Sequence, residues 1–351
     1  MKRFVSIIIL ISAFLTVRHA VAQSKGKTIR VAFWNLENFF DPFVDSTRTY
    51  NEFTENGGQH WTKSRFYKKR NNIYKAILGM SENQPIGIMG VCEVENEYVL
   101  MMLFERSPLK RFNYRWVHYE GPDKRGIDPA IIYSKDLFQL ISSEVFPYYN
   151  PEDTTYRSRD ILYAKFIDCQ NDTIHVFVNH WPSRYSGELE TVGSRACAAA
   201  ILRRKADSII AALPDSCPPK IIMMGDLNDT PDDPSVYDVL GARHITECDS
   251  SDLYVNLFAK SKDLGFEGTL KHQRDWLIFD QIIVTPALLQ SARGLRYLPN
   301  SAHIYCADFM LEDDAAYHGK KLFRTYVGPK YFGGFSDHLP VYIDLKYLDL
   351  H

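Results

Sequence analysis

Neither sign of charge predominates in this chain of 351 residues, where 41 Lys and Arg stand against 43 Asp and Glu. That balance excludes holding a nucleic acid by bulk positive charge, so any such role has to come from a local site. Zinc spacing is also missing. Cys92, Cys169, Cys197, Cys217, Cys248 and Cys306 form no CxxC pair and no Cys/His set, which argues against a zinc-stapled fold and against cysteine catalysis. The longest apolar run, residues 4–17, is shorter than the roughly 20 residues that cross a bilayer. No fixed-period repeat, Pro/Gly linker or low-complexity tract follows it. With 45% hydrophobic and 24% charged residues, the composition excludes a disordered regulator, a collagen-like fibre and a coiled coil.

The amino terminus reads as an address. Lys2 and Arg3 precede the apolar run, and Ala20-Val21-Ala22 supplies a small-x-small cleavage pattern before Gln23. Residues 1–22 are therefore expected to be a signal peptide, giving a periplasmic, cell-surface or extracellular protein with no stable membrane span after processing. No Cys at the cleavage point indicates a lipid anchor. The mature chain would carry 38 basic and 43 acidic residues. Export permits disulfides, but six cysteines allow 15 pairings and the sequence does not choose among them. Cys92, inside an apolar run, is expected to be a buried thiol.

Short apolar runs alternate with turn-rich segments over one expected domain, residues 28–347. Strands are expected at 28–33, 86–91, 130–133, 173–178, 220–224, 276–284 and 339–345, and helices at 66–80 and 194–213. This mixture, without strict βαβ alternation, suggests sheets covered by helices. Six apolar runs lead into hydrogen-bonding or acidic clusters: Trp34-Asn35-Leu36-Glu37, Cys92-Glu93-Val94-Glu95-Asn96, Asn179-His180-Trp181, Asp226-Leu227-Asn228-Asp229, Asp280-Gln281 and Ser336-Asp337-His338. A single strand-end Asp or Asn is commonly a turn former. Six together point to one crevice outside the strand ends. Carboxylates and amides suit a hard divalent cation, Mg²⁺ first and Mn²⁺ or Ca²⁺ as alternatives. Two nearby histidines add a proton donor and a phosphate ligand, so the set reads as metal-assisted phosphoester hydrolysis.

Trp34-Asn35, Glu93, Asn179-His180, Gly225-Asp226-Leu227-Asn228, Asp280 and Ser336-Asp337-His338, in this order, resemble the endonuclease/exonuclease/phosphatase superfamily across about residues 28–346. That superfamily includes DNase I-like nucleases, abasic-site endonucleases, neutral sphingomyelinases and inositol-polyphosphate 5-phosphatases. The resemblance implies a four-layer α/β sandwich, two packed mixed β-sheets flanked by helices. It also implies roles. Glu93, with Asn35 and Asp337, would bind the metal, and Asp226 would orient or deprotonate the attacking water. Asn228 would donate to the phosphoryl oxygens, Asn179 and His180 would contact the scissile phosphate, and His338 would hold it, oriented by Asp280. The Glu that supports the first His in the DNase I-like branch has no clear match here, and Asp128 is the nearest candidate.

Several neighbours receive plainer readings. Glu37, Glu95 and Asn96 are expected at a solvated rim or as local caps, and Asp229 and Asp232 as caps of the turn around Pro231. Arg184, and more weakly Arg324, are candidate phosphate clamps. The five basic residues within 63–70 are read as the solvated face of the first helix. Nucleic-acid phosphodiester hydrolysis is the leading expectation. The alternatives are a sphingomyelinase-like or inositol-phosphate hydrolase, and a non-catalytic phosphate-ligand binder. No obligate protein partner is evident.

Overall fold

The computed structural model describes residues 28–44, 46, 49–214, 216–248, 253–259 and 264–348, so the expected signal peptide lies outside the described residues. The principal strands are β1 (Thr28–Phe39), β2 (Ile88–Val94), β3 (Tyr114–His118), β4 (Asp128–Ser134), β5 (Phe138–Phe146), β6 (Ile161–Asp168) and β7 (Thr173–His180). They continue with β8 (Lys220–Asp226), β9 (Ala242–His244), β10 (Tyr254–Asn256), β11 (Asp280–Val284), β12 (Gly294–Tyr297), β13 (His303–Ile304) and β14 (Val341–Leu348). One seven-stranded sheet runs β12-β14-β1-β2-β4-β3, with β13 also on β14. The other runs β5-β6-β7-β8-β11-β10-β9. Three helices matter most: α1 (Lys63–Met80), α2 (Glu97–Phe104) and α3 (Glu188–Ala211).

The sheets pack face to face, β1, β2 and β4 against β6, β7, β8 and β11. Period-two alternation assigns the faces. Val176, Val178, Ile222 and Met224 enter the core between the sheets. Phe177, Ile221 and Met223 point the other way, into a second core with Ala198, Ala199 and Leu202 of α3. Phe66, Ile73, Ala76, Ile77 and Met80 of α1 join the first core from the far side. The result is the expected four-layer sandwich. Burying each large apolar side chain here contributes roughly 1.5–3 kcal/mol. Gly90 permits the closest approach of the sheets, since a Cβ there would lie 2.8 Å from both Met224 Sδ and Val178 Cγ2.

Three expectations change. The apolar run at 276–284 is two elements: Asp275–Leu277 pairs with Leu270–His272 in a hairpin, and β11 begins afresh at Asp280. Thr269 Oγ1 accepts from the backbone N–H of Phe279 and Asp280 at 3.1 and 3.2 Å, which takes the intervening backbone out of the ladder. The long helix starts at Glu188, where Glu188 and Glu190 favour the positive end of the helix dipole. Strands β3, β5, β6, β9, β10, β12 and β13 were not expected at all. Cys92 is buried, and no disulfide forms among the described residues. No helix among the described residues is long and apolar enough to cross a membrane.

Candidate active site

The clusters meet where the two sheets end. β7 and β8 are parallel, so His180 and Asp226 finish side by side. β8 and β11 are antiparallel, which puts the first residue of β11, Asp280, opposite Asp226. In the facing sheet, β1 and β2 are parallel with Asn35 opposite Cys92, and Glu93 is the next residue of β2. Both strands then break register. β1 slips between Asn35 and Phe39, where Glu37 and Asn38 have φ of 49° and 53°. β2 slips against β4 around Glu93, at φ 62°. Bulges re-aim side chains at sheet edges, and left-handed non-glycine residues concentrate at functional sites.

Asp226 is the hub. Its Oδ2 accepts from Asn35 Nδ2 at 3.0 Å and lies 3.7 Å from both His180 Nε2 and His338 Nε2. Its Oδ1 accepts from the Asn228 backbone N–H at 3.0 Å. Burial pushes the Asp226 carboxyl up to about 6, opposed by His338 and raised further by Asp280. His338 Nδ1 pairs with Asp280 Oδ2 at 2.7 Å. Burial works against charge on His338, but Asp280 and Asp226 outweigh it and hold the imidazolium well above the ordinary histidine range. His180 goes the other way: burial, then Arg159, Arg125 and His338, keep it neutral. The backbone around His338 is fixed as well. Trp34 Nε1 donates to His338 O at 2.9 Å, and Ser336 Oγ donates to Asn35 O at 2.7 Å.

Glu93 completes the array. Its Oε2 accepts from the Asn38 backbone N–H at 2.7 Å, while Oε1 stands 3.5 Å from Asn35 Nδ2 and 3.8 Å from His180 Nε2. Thus one amide and one imidazole each face a carboxylate oxygen of Glu93 and one of Asp226.

The profile of the Endonuclease/Exonuclease/phosphatase family matches residues 30–347. The chain belongs to that family. A search of curated proteins finds no match to it. Among solved structures, a Bacteroides thetaiotaomicron endonuclease/exonuclease/phosphatase family protein is 15% identical, with a TM-score of 0.57 over 92% of this chain and 99% of that one. A Bacteroides thetaiotaomicron mannosyl-6-phosphatase is 16% identical, with a TM-score of 0.56 over 91% and 100%. The D. rerio TDP2 humanised by 14 mutations is 15% identical, with a TM-score of 0.56 over 91% and 99%. At such identities the likeness is one of fold.

Not every expected residue of this family member takes the anticipated position. Asn228, expected as a donor to the phosphoryl oxygens, spends an amide hydrogen bond within the fold. It turns at φ 51°, and its Nδ2 donates to Trp181 O at 3.0 Å. Asn179 is fully buried, its Nδ2 on Met224 O and its Oδ1 accepting from Trp181 Nε1, so its amide braces the ends of β7 and β8. Asp128 accepts from the Gly121 backbone N–H at 2.9 Å, and His180 Nδ1 has no hydrogen-bond partner among the described residues. No hydrogen bond joins Asp128 to that ring among the described residues. Arg184 is a strut instead of a clamp: it binds Asn228 O, Asp229, Asp233 and Glu188, all at 2.6 to 2.8 Å. Asp229 is buried against Arg184 and Arg195 rather than simply capping a turn.

One of the plainer readings holds and others shift. Asn96 is a local cap, accepting from the Val99 backbone N–H. Glu37 is no rim residue: it is buried, accepts from the Thr325 and Tyr326 N–H groups, and lies 3.5 Å from Lys69. Lys69 itself, read as part of a solvated face, is 1% exposed. The sequence did hold a signal for it, because Lys69 follows Phe66 by three and precedes Ile73 by four, on the buried stripe of α1. Asp337 pairs with Arg324 at 2.8 Å. Arg125 escaped notice altogether.

Enzymes of this superfamily usually depend on a divalent metal, and the donor set here fits one. Asp226 and Asp280 bring buried carboxylate oxygens within 4.8 Å of one another beside the charged His338, and Glu93 Oε1 faces the same side of Asn35 and His180 as Asp226 Oδ2. Oxygen donors dominate, as a hard cation requires. Glu93 is the residue best placed to hold it, with Asp226 beside it. Asn35 turns its Nδ2 to both carboxylates and is their spacer in this arrangement.

Proposed function

We propose that this chain is an exported, divalent-metal-dependent phosphoesterase that hydrolyses nucleic-acid phosphodiester bonds by in-line attack of water. The observation that carries the hydrolase reading is the position of Asp226, a carboxylate raised to about 6 and set between a neutral His180 and a cationic His338. As a base, Asp226 orients and deprotonates water. His338, steadied by Asp280, neutralises charge growing on the phosphoryl oxygens. His180 stands beside both Asp226 and Glu93, within reach of a phosphate seated there. A bound divalent cation would supply Lewis-acid stabilisation of the same oxygens. Nucleic acid is put ahead of a lipid because the sequence holds no long apolar membrane-docking hairpin.

A substrate panel on the purified mature protein, run with Mg²⁺, Mn²⁺ and Ca²⁺, tests this. Plasmid DNA, RNA, sphingomyelin, soluble inositol phosphates and a generic bis-phosphoester are scored for turnover, and turnover of DNA or RNA is the expected result. Glu93→Gln keeps the size of the side chain and removes its charge, so metal affinity and turnover should fall together. Wild-type turnover and metal dependence in that variant would refute the site. Export is checked by the mass of the secreted form, expected to start at Gln23.

A further inference from the structure

The cations near the site are of two kinds. Lys69 and Arg159 are buried and anchored on backbone carbonyls, Lys69 on Phe335 O at 2.6 Å and Arg159 on Trp181 O at 2.8 Å. Arg125 and Arg324 are different. The Arg125 side chain is 35% exposed, its one hydrogen bond among the described residues reaches Asn38 Oδ1 at 3.4 Å, and Asp123 and Glu93 stand at 3.9 and 4.0 Å. The Arg324 side chain is 42% exposed, with Asp337 at 2.8 Å and Glu37 at 3.7 Å. The two guanidiniums come from different loops onto consecutive residues of the β1 bulge, Arg125 onto Asn38 and Arg324 onto Glu37.

We propose that Arg125 and Arg324 form a phosphate-binding pair that takes the non-bridging oxygens of the substrate phosphate on the Glu93 side of the site. A guanidinium presents five N–H donors in a planar fork matched to phosphate, and Arg125 spends few of them on protein. A mouth dense in carboxylates repels an anionic substrate unless cations stand among them. The competing account is that both arginines only balance the acids beside them. The proposal rests on the phosphoesterase reading for its kinetics, but not for its binding measurement.

The test uses the full mature chain with Mg²⁺ and compares wild type with Arg125→Gln, Arg125→Lys and Arg324→Gln. Inorganic phosphate binding is followed by calorimetry, and kcat and KM on the best panel substrate by steady-state kinetics. The pair predicts that Arg125→Gln weakens phosphate binding and raises KM about tenfold, while kcat moves less than about threefold. Arg125→Lys should recover only part, since a point charge lacks the fork. Arg324→Gln should shift in the same direction; if it fails to fold, Arg125, with its looser contacts, carries the test. Phosphate affinity and KM within about twofold of wild type in folded Arg125→Gln would overturn the proposal. A wild type that turns over nothing but binds phosphate through Arg125 would refute the phosphoesterase reading and uphold the pair. A wild type that does not bind phosphate overturns the pair directly.

Discussion

Asp226 and its neighbours show how single residues acquire their tasks. Two imidazoles stand 3.7 Å from one oxygen of the Asp226 carboxylate, and burial together with the neighbouring charges sets their protonation. His180, surrounded by Arg159 and Arg125, stays neutral, whereas His338, bonded to Asp280, stays charged. The chemistry then predicts a division of effects. Asp226→Asn should lower kcat on the order of 10²-fold or more, because a positioned base acts in the transition state. KM should move little. His338→Ala should damage both terms, since it removes a phosphate contact and strands Asp280. Steady-state kinetics decide the matter, and a raised KM at constant kcat in Asp226→Asn would make that residue a binder. The residue types were legible in the sequence. Their protonation states were not, because these depend on neighbours brought from other strands.

At the scale of elements, α1 does more than cover a sheet. Lys69 donates to Thr325 Oγ1 and Phe335 O and lies against Glu37, while Asn72 Nδ2 donates to Gly333 O and Gly334 O. One helix face thus grips the loop that leads into Ser336-Asp337-His338. Lys69→Met would leave Glu37 buried beside fewer cations, and breaking a buried pair from one side costs roughly 3–5 kcal/mol. Denaturant unfolding should show that loss, and Lys69→Met with Glu37→Gln should recover part of it. Undiminished stability in the single variant would mean that the pair contributes nothing. The apolar spacing of α1 was readable from the sequence. A lysine on the apolar stripe went unread, because periodicity tells which face is inward and says nothing of the partner waiting there.

For the whole molecule, two cores share one sheet. His175 lies on the outer face of that sheet, its Nδ1 2.8 Å from Tyr163 Oη. Burial, helped by Lys165, lowers its pKa to about 4 from an ordinary 6.5. The unfolded chain therefore binds a proton on this ring between those values while the folded chain does not. The stability it protects is complete above about 6.5 and declines as pH falls towards 4, by on the order of 2 kcal/mol after allowing for screening. Unfolding measured from pH 7 to 4 should fall less steeply in His175→Gln. Equal slopes would assign the acid sensitivity to other groups.

Short apolar runs bounded by Asn, Asp, Glu or His determined by themselves that this is an α/β sheet protein with its chemistry at strand ends, because apolar clustering and local residue chemistry are short-range properties. The parallel runs β1, β2, β7 and β8 were close to their expected places for that reason. Only the tertiary structure decided that Asp280 opens a strand instead of ending one, since strand direction follows from pairing with β8. It alone turned Arg184 into a strut, sank Lys69 beside Glu37, and set Arg125 near Glu93. Each of these depends on which distant segment supplies the opposite charge, and spacing along a chain carries no record of that.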